Sequence, residues 1–325
     1  MKCKSVSVIT VVYNAVDTIE KTILSVLNQS YSNIQYIIVD GASNDGTMDV
    51  INAYKNKISK VISEPDNGIY DAMNKGLLVS EGDIIAFLNA DDWYDEIAVE
   101  QVVSTFEHND CDIVYGNTMF CDGDNHFIND FIPLEKMWTQ MTMMHPSTFV
   151  SRKMFDLYGN YDIRLKLSSD YDLFLRFYEH TPKISYINAV LAYFRTGGRS
   201  FKNNSLSAIE TIQVSIRHMD LSPNPDLVKK EIKKKLFRVL CEYEAKTLGY
   251  YITELLDGDG HLSIWGCGWY GSRILHAMQQ NHITVDFSVD SDKEKWGNPF
   301  YTRFVNSPDE ISRSEERRVG KERRS

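Results

Sequence analysis

Residues 83–92 read Asp83-Ile84-Ile85-Ala86-Phe87-Leu88-Asn89-Ala90-Asp91-Asp92. An apolar run stops abruptly on an amide and two adjacent carboxylates, with no cation beside them. A short continuous apolar run bounded by polar residues fits a strand covered on both faces. Adjacent carboxylates repel, so a strand that ends on such a pair needs a reason.

Three earlier stretches have the same character. Val6 to Val12 is β-branched and nearly all apolar, Tyr36 to Val39 ends on Asp40, and Lys60 to Ser63 is a shorter run. Helical patterns lie between them. Ile19, Ile23, Val26 and Leu27 recur at helical spacing, with Asp17 and Glu20 expected as a capping box at the start. The loop Gly41 to Gly46 leads into a helix near Thr47. The turn Pro65-Asp66-Asn67-Gly68 leads into one carrying Ala72, Met73 and Leu77. Repeated strand-helix-strand units predict an α/β fold with a largely parallel sheet and helices on both faces. Ligands in such sheets gather at the carboxyl ends of the strands. Asp40 and the Asn89–Asp92 cluster stand at two of those ends. A divalent cation bridging the acids would explain the pair, since hard oxygen ligands suit Mg²⁺ or Mn²⁺. The ordinary alternative is a solvated acidic turn capping a helix over Ile97–Phe106.

The chain has 325 residues, of which 43% are hydrophobic, enough for one full core with room for a second, small one. A net charge of −10 argues against a nucleic-acid partner. The five cysteines are scattered and none forms Cys-x-x-Cys, so neither a thiolate metal site nor a disulfide framework is expected, and a reducing, cytoplasmic setting fits. Val6 to Val12 is too short to span a membrane.

Further along, Cys111–Gly116 and His126–Ile132 predict strands, and the loop Met141 to Pro146 precedes a strand over Ser147–Val150. Ser168 opens a helix with Leu173, Phe174 and Phe177 on its apolar face. Asp170 and Asp172 lie two residues apart in it and cannot share a face. One can point into a site while the other serves structure, although an acid in a first helical turn is ordinarily a cap.

Six motifs occur in one order: "ITVVYNA", "VDGASNDGT", "SEPDNGIYDAMNKG", "FLNADD", "HPSTF" and "SSDYDLFLR". Together they resemble the family 2 glycosyltransferases of the inverting GT-A fold over about residues 5 to 200, in particular bacterial members that build surface polysaccharides. The resemblance implies a hexosyl- or N-acetylhexosaminyltransferase. It implies that Thr10, Tyr13 and Asn14 line a nucleotide pocket and that Asp40 accepts a hydrogen bond from the base. Asp66, Asn67, Gly68 and Lys75 would lie near the nucleotide sugar. Asn89-Ala90-Asp91 occupies the position of the family's Asp-x-Asp motif. Asp91 would bind Mn²⁺ or Mg²⁺, and Asp92 would assist or hold the donor sugar. Asn89 replaces the first acid of that motif, which moves the expected metal ligand to Asp91. Asp170 matches the catalytic base, with Ser169 where the family usually has Glu.

His145 is a candidate for the diphosphate or the acceptor, beside the plainer reading of a structural histidine before proline. Arg195, Gly197, Gly198 and Arg199 form a basic segment suited to closing over a diphosphate, or an ordinary Gly-Gly turn. The Gln-x-x-Arg-Trp motif and membrane helices of processive synthases are missing from this sequence, so one residue is expected to be added per binding event. The expected partners are a nucleotide-sugar donor, UDP favoured, and a saccharide or polyprenyl-linked acceptor.

Residues 1–202 are thus expected to form the GT-A domain and 203–258 a helical segment. Lys229, Lys230, Lys233, Lys234, Lys235 and Arg238 make one helix basic, which reads as a solvated face or as a peripheral contact at the inner face of the cell membrane. Residues 259–312 resemble a partial Rossmann-like unit, with Gly266, Gly268 and Gly271 after a first strand and Ile283–Val289 ending at Asp290. Residues 313–325 resemble translated sequencing-adapter read-through, so the native domain is expected to continue past Ser312. Two other functions stay open at this point: a sugar-1-phosphate nucleotidyltransferase and a non-catalytic sugar- or nucleotide-binding protein.

Overall fold

The computed structural model describes residues 3–128, 131–197 and 204–242, together with four short strands between 263 and 306. The chain divides into two compact units, Met1–Lys230 and Glu231–Ser325. In the first, β1 (Val6–Val12) lies between β2 (Ile34–Asp40) and β4 (Ile84–Asn89), with β3 (Lys60–Ser63) beside β2, all parallel. Every residue of β1 is buried, as expected of a strand with helices on both faces. Its neighbours α1 (Ile19–Leu27) and α3 (Ile69–Leu78) bury Ile19, Ile23 and Val26 and Ala72, Met73 and Leu77 respectively. Each of these side chains larger than alanine, fully buried, contributes about 1.5–3 kcal/mol. Register then gathers the strand ends: Val12 faces Asp40, Asp40 faces Ser63, and Val11 faces Asn89.

The capping box at α1 does not form. Thr18 is the N-cap residue and no side chain caps the helix. Glu20 instead accepts a hydrogen bond from the Tyr54 hydroxyl at 2.6 Å, which ties α1 to the segment after α2 (Thr47–Ala53). Packing between helices took the carboxylate that the local motif offered to the backbone.

Past β4 the sheet turns mixed. Two residues of β5 (Trp93–Tyr94) precede α4 (Ala98–His108). Then β6 (Ile113–Asp122) and β7 (Asn125–Ile128) form an antiparallel hairpin, and β8 (Thr148–Ser151) lies antiparallel between β4 and β6. After α5 (Arg152–Tyr158) and α6 (Ser169–Tyr178), β9 (Ile184–Arg195) pairs parallel with β6 and antiparallel with β5. The β5–β9 pairing sets Trp93 opposite Tyr193, and so carries the next two residues of β9, Phe194 and Arg195, to the end of the sheet where β4 stops.

Two helices follow, α7 (Asn204–His218) and α8 (Pro225–Glu242). In α8, Val228, Ile232 and Val239 are buried while Lys229, Lys230, Lys233 and Lys234 are exposed. In the second unit β10 (Ser263–Trp265) pairs parallel with β11 (Phe287–Val289), and β11 with β13 (Arg303–Asn306); β12 (Pro299–Phe300) runs antiparallel to β13. Gly266, Gly268, Gly271, Asp290 and the tail from 313 lie outside the described residues, as do Gly198 and Arg199. Among the described residues no helix is long and apolar enough to cross a membrane.

Candidate active site

A cavity of about 620 Å³ opens at the carboxyl ends of β1 and β4. Tyr13 and Asn14 from the end of β1, Asp45, Asp66 and Gly68, and Asn89, Ala90 and Asp91 line it, with Phe194 and Arg195 from β9. The loops that build it use special backbone. Asn14 has φ 48°, a left-handed conformation that Asn tolerates; its side-chain carbonyl accepts from the Asn44 N–H at 2.9 Å. At Gly41 a Cβ would stand 2.5 Å from Asp66 Oδ2, so only glycine lets Asp66 approach. Gly68, at φ 120°, turns the chain into α3, and Asp66 Oδ1 accepts its N–H at 2.8 Å.

The acidic pair divides. Asp91 faces the cavity; burial raises its carboxyl pKa, with the Arg195 charge in partial opposition. Asp92 is fully buried and accepts the Arg195 N–H at 3.1 Å on Oδ1. Burial, then the Asp91 charge, push its pKa far up. Asp92 Oδ2 and Asn89 Oδ1 are buried acceptors with no hydrogen-bond partner. Orphaned acceptors flanking a carboxylate whose charge is poorly solvated suit a hard cation. Among the described residues no cluster of three or more His, Cys, Asp or Glu could hold a metal by itself.

A second cavity, about 270 Å³, shares Ile69, Asn89 and Phe194 with the first. Asp170 lines it, as do His145, Lys166, Ser168, Ser207 and Thr211. Asp170 sits in the first turn of α6. Burial raises its pKa to about 6, against hydrogen bonds from the Tyr171 N–H at 2.9 Å and the Tyr70 hydroxyl at 3.2 Å. Asp172 has the opposite fate. Burial works against its charge, but His218, Arg176 and Arg217 outweigh it and hold the carboxyl at about 2. One acid faces a cavity and the other anchors the fold, as their spacing on the helix requires.

His145 is buried, its pKa driven down to about 4 by desolvation, and its Nε2 meets the Tyr161 hydroxyl at 2.8 Å. It stacks on Phe87 and Phe174. A neutral ring held this way is a poor diphosphate ligand and a good spacer beneath the second cavity.

Several residues expected in the nucleotide pocket do not line it. Thr10 is fully buried inside β1 and accepts from the Tyr36 hydroxyl. Asp40 is fully buried, its carboxylate taken by the Ser43 N–H at 3.2 Å and the Ser63 hydroxyl at 2.6 Å. Lys75 turns along α3 to Glu64 at 2.8 Å and the Pro65 carbonyl. The Asn67 N–H donates to Asp71. Asp45, Phe194 and Tyr70 were not singled out from the sequence, although Asp45 and Tyr70 lie inside motifs that were.

The family model for glycosyl transferase family 2 matches residues 7–156. A glycosyltransferase of Haemophilus influenzae is 30% identical over 232 residues, covering 68% of this chain and 91% of that one. The chain belongs to glycosyl transferase family 2. A PGL/p-HBAD biosynthesis glycosyltransferase of Mycobacterium tuberculosis is 28% identical over 183 residues, 54% of this chain and 71% of its own length. Solved structures agree on the GT-A fold. Staphylococcus aureus TarS 1–349 in complex with UDP-GlcNAc matches with a TM-score of 0.57 at 16% identity, covering 92% of this chain and 98% of that one. A Pyrobaculum calidifontis mannosyltransferase in complex with GDP-Man and Mn²⁺ matches with a TM-score of 0.55 at 15% identity, covering 86% and 87%. In family 2 terms, Phe87–Asp92 is the acidic end of the fourth strand of a glycosyltransferase.

Proposed function

We propose that this family 2 glycosyltransferase moves one sugar per binding event, with inversion, from a nucleotide-diphosphate sugar in the larger cavity to a hydroxyl in the smaller one. The observation that carries this reading is the shared wall: Ile69, Asn89 and Phe194 line both cavities, with Asp91 on one side and Asp170 on the other. The similarly folded structures in complex with UDP-GlcNAc and GDP-Man support a nucleotide-sugar donor, UDP being favoured here. The mycobacterial relative, a PGL/p-HBAD biosynthesis glycosyltransferase, supports a part in glycoconjugate synthesis, and a saccharide or lipid-linked saccharide is the acceptor proposed. The exposed lysines of α8 support a peripheral contact with the cytoplasmic face of the membrane.

Asp170 takes the proton from the acceptor hydroxyl as it attacks. With a pKa of about 6 it is mostly ionised at neutral pH yet more basic than an ordinary carboxylate, which suits a general base. Attack from the face opposite the leaving group needs no second, nucleophilic carboxylate. Asp91, with Asn89 Oδ1 and Asp92 beside it, would hold Mn²⁺ or Mg²⁺. The bound cation would neutralise charge developing on the departing diphosphate. Arg195 at the rim adds a fixed positive charge to the same side.

Calorimetric binding and donor hydrolysis with UDP-, GDP- and dTDP-sugars, in Mn²⁺ and in EDTA, test this. One nucleotide should bind only with metal, Asp91→Ala should abolish that binding, and Asp170→Asn should bind without turnover. Failure of every nucleotide sugar to bind would sink the proposal in favour of a non-catalytic role. Release of pyrophosphate from a nucleoside triphosphate and a sugar-1-phosphate would identify a nucleotidyltransferase.

A further inference from the structure

The segment that delivers Asp170 to its cavity is held from outside the residues matched by the family model. Glu210, on α7 (Asn204–His218), is 4% exposed. Its Oε1 accepts the Lys166 N–H at 2.8 Å, and its Oε2 accepts the Leu167 N–H at 2.7 Å and the Ser168 N–H at 2.9 Å. Three successive backbone donors thus converge on one buried carboxylate. The Ser168 hydroxyl adds a bond to the Ser207 carbonyl at 3.2 Å, one turn earlier on the same helix. Ser168 is the N-cap of α6 and no side-chain cap of its own serves that helix. Ser168 and Asp170 are two residues apart, and Lys166, Leu167, Ser168 and Asp170 all line the second cavity together with Ser207 and Thr211 of α7.

We propose that Glu210 is a positioning residue for the reaction: it sets the height of the 166–168 segment and so the place of the Asp170 carboxylate. This inference rests on the proposed role of Asp170 as base. The chemistry demands a carboxylate rather than any polar group. Backbone N–H groups offer donors only, and a carboxylate presents acceptors on both oxygens. Glutamine would turn an NH₂ toward one or two of those donors and leave them unpaired in a buried place. Misplacing a reacting group by about 1 Å can cost on the order of 100-fold in rate. The donor cavity draws none of its lining from α7, so nucleotide binding has no direct dependence on Glu210.

The test compares wild type with Glu210→Gln. Amide hydrogen exchange is measured across the chain. Hydrolysis of UDP-glucose, UDP-N-acetylglucosamine, GDP-mannose and dTDP-glucose is measured in MnCl₂. Exchange at residues 166–168 should rise by at least about tenfold while β1 and β4 stay protected. For the donor that wild type turns over, kcat should fall about 10- to 100-fold with donor KM within about twofold. Unchanged protection at 166–168, or unchanged kcat, overturns the inference. A merely structural defect would instead loosen β1 and β4 as well and raise donor KM. If Glu210→Gln does not fold, Glu210→Asp, which keeps the carboxylate but shortens its reach, carries the same comparison. If wild type hydrolyses none of the four donors, their calorimetric binding decides the proposed function, and the exchange comparison alone decides whether Glu210 holds the segment.

Discussion

The Tyr70 hydroxyl donates to Asp170 Oδ1 at 3.2 Å, joining the first turn of α3 to the first turn of α6. Tyr70 is buried, and its ring stacks on Tyr161 at 5.5 Å. Burial, and then the Asp170 charge, keep the Tyr70 phenol far above its ordinary pKa, so it stays a donor across the working range. The bond stabilises the ionised carboxylate. Tyr70→Phe should therefore raise the Asp170 pKa from about 6, by up to about one unit, and move the acidic limb of kcat/KM upward. A pH–rate profile checks it. An unmoved limb would show that the contact does not reach the base.

Asp170 should also cost stability. Its folded pKa, about 6, lies above the ordinary value of 3.8, so the folded state binds the proton more tightly. Its contribution is most favourable below about pH 3.8 and is lost as pH rises through about 6. At neutral pH, Asp170→Asn should stabilise the fold by about 1–3 kcal/mol while abolishing transfer. Urea unfolding at pH 7.5 reads this directly, and the gain should vanish near pH 4.

The Asp172 network stabilises the fold instead. His218 lies between Asp172 and Glu179, at 3.3 and 2.5 Å. Burial works against its charge, but the two carboxylates outweigh it and raise the imidazole pKa to about 9. Its stabilising share is complete below about pH 6.5 and is lost as pH rises through about 9. Tm should fall across that window in wild type and much less in His218→Gln. Asp172, held at about 2, keeps its share above the ordinary carboxylate pKa and loses it as pH falls through about 2. Asp172→Asn removes the carboxylate shared by Arg176, Arg217 and His218, which keep the Tyr158 and Asn160 carbonyls, Asp162 and Glu179 as partners, and should cost about 1–3 kcal/mol.

Gly68 joins local backbone to the nucleotide cavity. Its φ is 120°, and no atom lies within 4 Å of where a Cβ would stand, so the cost of Gly68→Ala lies in the backbone alone, about 1–3 kcal/mol. Because Gly68 lines the cavity beside Ile69 and its N–H is held by Asp66, nucleotide binding should weaken as well. Gly123→Ala, at φ 57° in the β6–β7 turn, should destabilise without touching binding.

His145 gives a titration test. With its pKa near 4 the ring stays neutral at pH 7, and stability should be lost as pH falls from about 6.5 through about 4. Its imidazole resonances should not titrate between pH 6 and 8. A midpoint in that range would return His145 to the list of phosphate-binding groups.

The centre of the parallel half of this fold was legible in the sequence because β1 and β4 are covered on both faces. Burial on both sides leaves an apolar run, unbroken in Ile84–Leu88 and interrupted only by the buried Ser7 and Thr10 in Val6–Val12. The Asp170–Asp172 division was legible for a similar reason: helix geometry separates residues two apart, whatever they pack against. The capping box at α1 failed because a motif of four residues carries no information about Tyr54, which arrives from the segment after α2 and takes Glu20. Asp40 and Thr10 were placed by chain position at the right end or middle of the right strands. Whether their side chains open to a cavity depends on Ser43, Ser63 and Tyr36, which the local pattern does not mention.

The sequence by itself determined the strand-helix alternation, the acidic end of the fourth strand and the family, since all three are written in residues close together along the chain. Tertiary structure alone decided which acid faces which cavity, that Tyr70 reaches Asp170, and that Glu210 grips the segment before it. Those relationships join residues 42 to 100 positions apart. The free energy that sets them comes from desolvation and from backbone donors that find their acceptors only once the helices have packed.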